Sequence, residues 1–214
     1  MKNTWLAFLT IGFLAVITFI FFFLRTQPIE LPHIDEETAG GKIDQPVVTF
    51  VNPSKGPASA KVTIIEYGDF ECESCAHMSA AVETARQAYK DDVRVIWKNY
   101  PNESLHPQST NAAIAAHCAD RQGKFWEYHD ILFAQQAVLS PNLYQAISEQ
   151  LELDTDRFKD CVDSQDTLAV VQKDFEEAKG LGLSATPATY INGKLSVGAV
   201  DAAGLLSIIQ GELP

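Results

Sequence analysis

The feature that most constrains this chain is a pair of cysteines placed where a strand candidate gives way to a helix candidate. Cys72 and Cys75 follow the apolar, β-branched run from Lys61 to Tyr67 and open an Ala-rich stretch that ends near Tyr89. Free backbone N–H groups and the positive end of the helix dipole stabilise a thiolate on the first cysteine at such a position. The second cysteine lies one helical turn further on, where it can close a disulfide with the first. The spacing and placement therefore indicate a redox-active pair.

Two other interpretations of the pair stay open. Zinc sites use the same cysteine spacing, but they need a second ligand pair, and the remaining cysteines, Cys118 and Cys161, lie about 43 residues apart. The pair can also form a purely structural disulfide. No motif in the chain implies a metal or an organic cofactor, and neither is expected.

Strand and helix candidates follow the pair in the order of an α/β fold. Short strands are predicted at 47–51, 61–67 and 93–98, with a turn at 52–57 and a helix at 75–89. The sequence between 109 and 181 is helical throughout, with segments at 109–122, 124–135, 141–151, 155–163 and 167–181. Strand signals return at 188–191 and 195–197 around the hairpin turn Asn192-Gly193, and 202–210 is a closing helix. The pattern predicts a small sheet with a helical block inserted between its two halves.

The N-terminal part carries an uncharged apolar run from Trp5 to Leu24. As a helix it would extend for about 30 Å, the thickness of the hydrocarbon core of a bilayer. A cleaved signal sequence is the alternative, although its core is usually about 7–15 residues long and a small-residue cleavage site should follow. Lys2 precedes the run and several acids follow it, which favours a cytoplasmic N-terminus. We therefore expect an anchor (or signal sequence) at 1–27, a linker at 28–45 and a single-pass protein of a bacterial cell membrane with its C-terminal domain outside the cytoplasm.

The charge of the chain excludes one class of partner. Sixteen Lys and Arg against 28 Asp and Glu give a net charge of −12. So acidic a surface repels phosphate backbones, and binding to nucleic acid is not expected.

Several motifs together resemble those of the DsbA-like thiol–disulfide oxidoreductases, a branch of the thioredoxin superfamily. They are Glu66 to Cys75 (EYGDFECESC), Lys98 to Pro101 with His106-Pro107, Lys124 to Asp130 (KFWEYHD) and Ala185 to Ala188 (ATPA). The resemblance covers about residues 46–212. It implies a thioredoxin fold made of 46–107 and 182–214, with an inserted helical domain at 108–181.

The resemblance also implies roles for individual residues. Cys72 would be the exposed nucleophile and Cys75 the buried resolving thiol, facing a cis-proline, Pro187, that follows Thr186. Glu66 would be a buried acid that moves protons for the resolving cysteine, and Lys98 is a candidate partner for it. An edge-strand acid and a surface lysine are the alternatives for these last two.

The dipeptide between the cysteines departs from the family pattern. Many oxidising members have Pro-His there, whereas this chain has Glu73-Ser74. A carboxylate beside Cys72 opposes its thiolate, so we predict a less oxidising pair than that of the strongest oxidants in the family. His77 is expected to point away from Cys72, on the helix surface.

The helical block contains the other two cysteines and two further histidines. Export favours a structural disulfide between Cys118 and Cys161, with two free buried thiols as the alternative. His117 and His129 are expected to be packing or surface residues rather than ligands.

The sequence as a whole predicts a membrane-anchored thiol–disulfide oxidoreductase that introduces disulfides into cysteine-containing exported proteins. Its implied partners are those substrates, the membrane through residues 5–24, and a quinone-linked membrane protein that recycles it. An envelope reductase or isomerase fed by a membrane electron donor is one alternative. A tethered binding module with a structural Cys72–Cys75 disulfide is another.

Overall fold

The computed structural model describes residues 16–19 and 43–213. The chain divides into two units, Met1–Gly41 and Lys42–Pro214. In the first unit, the described residues are a short helical stretch at 16–19 with exposed side chains. Most of the predicted anchor and linker falls outside the described residues. Within those that are described, no helix is both long enough and apolar enough to cross a bilayer.

The second unit is built on a five-stranded mixed sheet with the order β1-β3-β2-β4-β5. The strands are β1 (Ser54–Lys55), β2 (Val62–Gly68), β3 (Val93–Asn99), β4 (Ala188–Ile191) and β5 (Lys194–Val197). The central strands β2 and β3 are parallel, and the other neighbours are antiparallel. Asn192 and Gly193, both with positive φ, turn the chain from β4 into β5 as the hairpin signal predicts.

Helices cover both faces of this sheet. They are α1 (Glu73–Ala88), α2 (Ser109–Asp120), α3 (Phe125–Ala134), α4 (Pro141–Gln150), α5 (Thr155–Asp163), α6 (Leu168–Gly180) and α7 (Ala202–Glu212), with a 3-10 turn at Gln136–Val138. Helix α1 makes the crossover between β2 and β3, and α2 to α6 lie between β3 and β4. Ser140, Asp154 and Asp201 each start a helix by accepting a hydrogen bond from a backbone N–H in its first turn.

The core has three parts. Apolar residues of α1 and α7 pack on one face of the sheet, and Ala178 and Leu183 pack with Tyr67 and Ile96 on the other. The inserted helices form a third cluster among themselves, which includes Phe70 and the strand residue Trp97. The insert is therefore packed directly against the sheet beside the start of α1.

The predicted strand at 47–51 is wrong. The backbone N–H of Val47 donates to Glu177 Oε1 at 3.0 Å, and that of Thr49 donates to Asn52 Oδ1 at 2.9 Å. The backbone donors of this segment therefore bond to side chains and not to a neighbouring strand. Phe50 is fully exposed. The edge of β3 is taken instead by Ser54 and Lys55, which lie within the predicted turn.

The insert contains the predicted disulfide. Cys118 on α2 and Cys161 on α5 are joined, with their Cα atoms 5.9 Å apart. The bond ties these two helices together through cysteines that are 43 residues apart in the chain.

Candidate active site

The cysteine pair lies at the start of α1, just after the end of β2. Cys72 is the residue that caps α1, and its carbonyl accepts hydrogen bonds from the backbone N–H groups of Cys75 and Ala76. Both cysteines are free thiols. Cys72 is 6% exposed and Cys75 is fully buried. Of the two sulfur atoms, only that of Cys72 can therefore react with a cysteine of another protein.

Hydrogen bonds concentrate on the Cys72 sulfur. Bonding to Cys75, and further bonds to Ser74 and Thr186, lower the pKa of Cys72 to about 5. The Ser74 hydroxyl lies 3.2 Å from Cys72 Sγ. Cys72 is therefore a thiolate at neutral pH, which is the nucleophilic form of cysteine.

Cys75 has the opposite electrostatics. Burial, together with its hydrogen bond to Cys72 and the charge of that group, raises the pKa of the Cys75 thiol well above its usual range. The two thiols thus differ in charge at neutral pH, and Cys75 needs a base before it can react.

The cis-proline loop faces the cysteines. The Thr186–Pro187 peptide bond is cis, as the resemblance implies, and the Thr186 carbonyl oxygen lies 3.6 Å from Cys72 Sγ. The Pro187 carbonyl accepts a hydrogen bond from the backbone N–H of Gly198 at 2.8 Å. This bond holds the loop against the segment that follows β5.

Glu66 is a buried acid near the pair. It lies on β2 with 2% of its surface exposed. Burial, and secondly the charge on Cys72, raise the pKa of Glu66 to about 8. Among the residues that the structure describes, Glu66 Oε1 has no hydrogen-bond partner.

The expected pairing of Glu66 with Lys98 is wrong. Glu66 lies opposite Trp97 in the β2–β3 register, whereas Lys98 lies opposite Tyr67 and so projects from the other face of the sheet. There Lys98 Nζ binds Glu177 Oε2 at 3.0 Å and Asp174 Oδ1 at 3.4 Å, both on α6. The buried lysine fastens the insert to the sheet and leaves Glu66 without that cation.

Asp69 is a site residue that the sequence analysis missed. Its buried carboxylate accepts hydrogen bonds from the backbone N–H groups of Glu71 and Asn102 and lies 2.8 Å from His106 Nδ1. It therefore fixes the loop after β3 beside the cysteines. The signal was available, because an Asp that bonds to the backbone two residues on is a common turn former.

These loops enclose an open cavity of about 650 Å³, which we name the catalytic cleft. Its lining residues are Cys72, Glu73, Ser74, His77, Asn102, Leu105, His106, Ser184, Ala185 and Thr186. His77 is exposed on α1, as predicted for a helix-surface residue, and is among the residues that line the cleft. Across residues 16–19 and 43–213, no three His, Cys, Asp or Glu side chains are grouped so as to hold a metal ion.

A second cavity of about 520 Å³, the side pocket, continues the cleft towards the insert. The two share Asn102 and the segment Ser184 to Thr186. Its far wall carries Tyr100 and Phe175, whose rings are 5.4 Å apart. A continuous groove thus runs from the Cys72 sulfur past the cis-proline loop to an aromatic wall.

Comparison with known proteins fits this geometry. A family model described as Thioredoxin matches residues 51–211. The chain belongs to the thioredoxin family. Its described fold is similar to BdbD from Bacillus subtilis in the oxidised form, with a TM-score of 0.70 at 24% identity over 78% of this chain and 95% of that one. It is similar to the catalytic domain of Proteus mirabilis ScsC, with a TM-score of 0.66 at 26% identity over 77% of this chain and 90% of that one. The resemblance to DsbA-like proteins of the thioredoxin superfamily is confirmed.

Curated relatives match over part of their length. The Na⁺/H⁺ antiporter NhaA 1 of Mycolicibacterium gilvum is 33% identical over 176 residues, which is 81% of this chain and 28% of that protein. NhaA 3 of Salinispora tropica is 35% identical over 156 residues, or 73% and 24%. The chain spans about a quarter of the length of these relatives.

Proposed function

We propose that this chain is a membrane-anchored, extracytoplasmic thiol–disulfide oxidoreductase that introduces disulfides into exported proteins. The observation that carries the proposal is the difference between its two cysteines. A thiolate at Cys72, at the mouth of an open cleft, stands beside a fully buried, protonated thiol at Cys75. Such a pair exchanges disulfides with an external partner through Cys72 and keeps Cys75 for the internal step.

The exchange proceeds in two steps. A substrate thiolate attacks Cys72 Sγ of the Cys72–Cys75 disulfide, forming a mixed disulfide and releasing Cys75 as a thiolate that takes up a proton. A second substrate thiolate then attacks the substrate sulfur of the mixed disulfide and releases Cys72 as a thiolate. The substrate loses two electrons and the enzyme gains them as a dithiol. Glu66, buried with a pKa near neutrality, supplies the proton in the first step and removes it again when the pair is reoxidised.

The cleft supports an extended protein segment as the substrate. Main-chain groups of the cis-proline loop stand beside Cys72, where they can pair with an extended chain. Glu73 in the catalytic cleft and Glu103 in the side pocket are exposed, and no lysine or arginine is among the residues that line either cavity. Substrate cysteines followed by neutral or basic residues should therefore react faster than those followed by acids.

The low pKa of Cys72 supports the oxidising direction. A stabilised thiolate stabilises the reduced enzyme, which makes the disulfide form a stronger oxidant. The exposed Glu73 carboxylate opposes this effect, and for that reason a reductase or isomerase fed by a membrane electron donor is the second candidate.

The cellular setting is a further part of the proposal. The apolar run at 5–24 supports an anchor that holds the domain outside the cytoplasm, and the Cys118–Cys161 disulfide is of a kind that persists in exported proteins. Net oxidation needs an electron acceptor, for which we propose a quinone-linked membrane protein.

Redox equilibration tests the proposal. The full chain, purified with a mild detergent, would be equilibrated with glutathione buffers, and the state of Cys72 and Cys75 trapped by alkylation. A reduction potential near or above about −180 mV is expected for an oxidant, and a value near about −270 mV would favour the reductase. A pair that does not exchange with glutathione would contradict both and leave a binding module with an inert disulfide.

A further inference from the structure

Two buried residues that each carry a polar atom without a partner among the described residues line the same small cavity. Among the described residues, neither Glu66 Oε1 on β2 nor His129 Nε2 on α3 has a hydrogen-bond partner. Both residues are about 2% exposed, and both line a cavity of about 10 Å³ between the sheet, α1 and α3. That volume accommodates the centre of one water molecule, and such a water needs two or more polar partners. Ser79 of α1, which lines the same cavity, can provide a third.

The other side of His129 leads to solvent. His129 Nδ1 lies 2.8 Å from Asp130 Oδ1, and the Asp130 side chain is 55% exposed. Because an ionised carboxylate only accepts hydrogen bonds, the proton of the neutral ring is on Nδ1, and Nε2 is left as an acceptor without a partner among the described residues. Burial lowers the pKa of His129, which favours the neutral ring over the charged one. Aromatic rings pack around it: Phe70, Trp97, Phe125, Trp126 and Phe133.

We propose that His129 and Asp130 form a proton relay that connects Glu66, through one bridging water, to the solvent. The proposal deepens the function given above and depends on it. His129 acts through Glu66 and does not touch the cysteines, so it is a positioning residue and not a catalytic one.

The relay balances over one catalytic cycle. When Cys75 must act as a nucleophile, its proton passes to the Glu66 carboxylate, and from Glu66 through the water to His129 Nε2. The Nδ1 proton of the ring then passes to Asp130 and on to bulk water, which leaves the ring protonated on Nε2. When Cys75 is next released as a thiolate, one proton travels the same path inward and restores the Nδ1 proton. No oxidant or base beyond those of the disulfide exchange is needed.

The remaining charged groups around the cavity pair with one another. They are Lys55 of β1 and Glu83 and Arg86 of α1. Glu83 binds Lys55 Nζ at 3.0 Å and Arg86 at 2.7 Å, and these bonds hold the pKa of Glu83 at about 2. These ion pairs hold the three groups to one another, and the path from Glu66 to the solvent runs through His129 and Asp130.

The relay is tested on the step that needs it. The full chain would be prepared with glutathione on Cys72, and the release of glutathione by Cys75 followed by acid quench from pH 5 to pH 9. Asp130→Asn keeps the hydrogen bond to the ring but removes the base, and its exposed position leaves the fold intact. His129→Gln keeps an acceptor for the water but cannot pass a proton. Glu127→Gln, which removes a charge from an exposed position on the same helix, is the matched control, and Asp130→Glu is the conservative variant.

We expect Asp130→Asn and His129→Gln to slow the release at pH 7 by about tenfold or more. Asp130→Glu should restore the wild-type rate, Glu127→Gln should not change it, and the equilibrium constant with glutathione should change by less than about twofold in all four. Wild-type rates in Asp130→Asn, or equal slowing in Glu127→Gln, would overturn the relay alone. If His129→Gln does not fold, the rate of glutathione release in Asp130→Asn alone tests the relay. A wild-type chain that releases no glutathione would overturn the proposed function and the relay with it.

Discussion

Ser74 offers the sharpest test of how this site stabilises its thiolate. Its hydroxyl lies 3.2 Å from Cys72 Sγ and is one of the groups that take the pKa of Cys72 from 9.0 to about 5. At pH 7 the whole shift would favour the reduced, ionised form by about 2.7 kcal/mol, since about 1.4 kcal/mol corresponds to each pKa unit. A hydrogen bond to a charged group contributes about 1.5–3 kcal/mol, and solvent in the open cleft reduces that to about 1 kcal/mol.

Replacing Ser74 by Ala should therefore raise the pKa of Cys72 by about 0.7. The disulfide sulfur is a weak acceptor, so the oxidised form loses little. The change falls on the reduced form, and the reduction potential should become about 20 mV more negative. The pKa would be measured from thiolate absorbance during a pH titration, and the potential from equilibration with glutathione.

Ser207→Ala is the matched control, because Ser207 is an exposed residue of α7 far along the chain from the site. It should leave both quantities unchanged. If Ser74→Ala alters neither, or if the potential falls while the pKa stays at about 5, the hydroxyl does not stabilise the thiolate and the reasoning fails.

Three further predictions concern stability. Replacing both Cys118 and Cys161 by Ser should lower the free energy of unfolding, measured in urea, by about 4 kcal/mol and leave the reduction potential of Cys72–Cys75 unchanged. An unchanged free energy of unfolding would mean that closing the 43-residue loop does not stabilise the fold. Lys98→Met leaves the buried carboxylates of Asp174 and Glu177 without their cation and should lower the free energy of unfolding by about 3 kcal/mol or more in the same assay. An unchanged free energy of unfolding would mean that the ion pairs of Lys98 do not stabilise the fold. Because the folded pKa of Cys72 is lowered from 9.0 to about 5, its stabilising effect on the reduced protein is fully present above about pH 9 and is lost progressively as the pH falls to about 5. Between pH 7 and pH 5 the reduced wild type should thus lose about 1–2 kcal/mol more than Cys72→Ser, after allowing for screening by solvent.

The helices and the central strands could be predicted from the sequence because each depends on local pattern. Predicted segments such as 155–163 and 188–191 match α5 and β4, and other bounds differ by one or two residues. The strand predicted at 47–51 fails for a non-local reason. Its residues have strand-like side chains, but a strand forms only where a sheet edge is free, and Ser54 already pairs with Ile96 at the edge of β3.

Parts of the site depend on register in the same way. Both cysteines and the cis-proline loop follow from motifs, whereas the partner of Lys98 depends on which face of β3 it occupies. A shift of one residue between Glu66 and Lys98 across the two strands reverses that face, and no local pattern reveals it. The side chains that surround Glu66 come from α1 and α3, so the exit through His129 becomes visible only once those helices are packed.

The ion cluster of Lys98 with Asp174 and Glu177 has a consequence for the kind of client this protein can accept. Because it fixes α6 to the sheet, the wall of the side pocket is rigid and the groove is preformed. A preformed groove loses little conformational entropy when a client binds, so most of the entropy lost on binding is lost by the client. A flexible strand can meet that cost and reach the Cys72 sulfur, while a cysteine already locked inside a folded domain cannot. Under the proposed function, the client therefore sets the time of its own reaction with Cys72, which must come before it completes its folding.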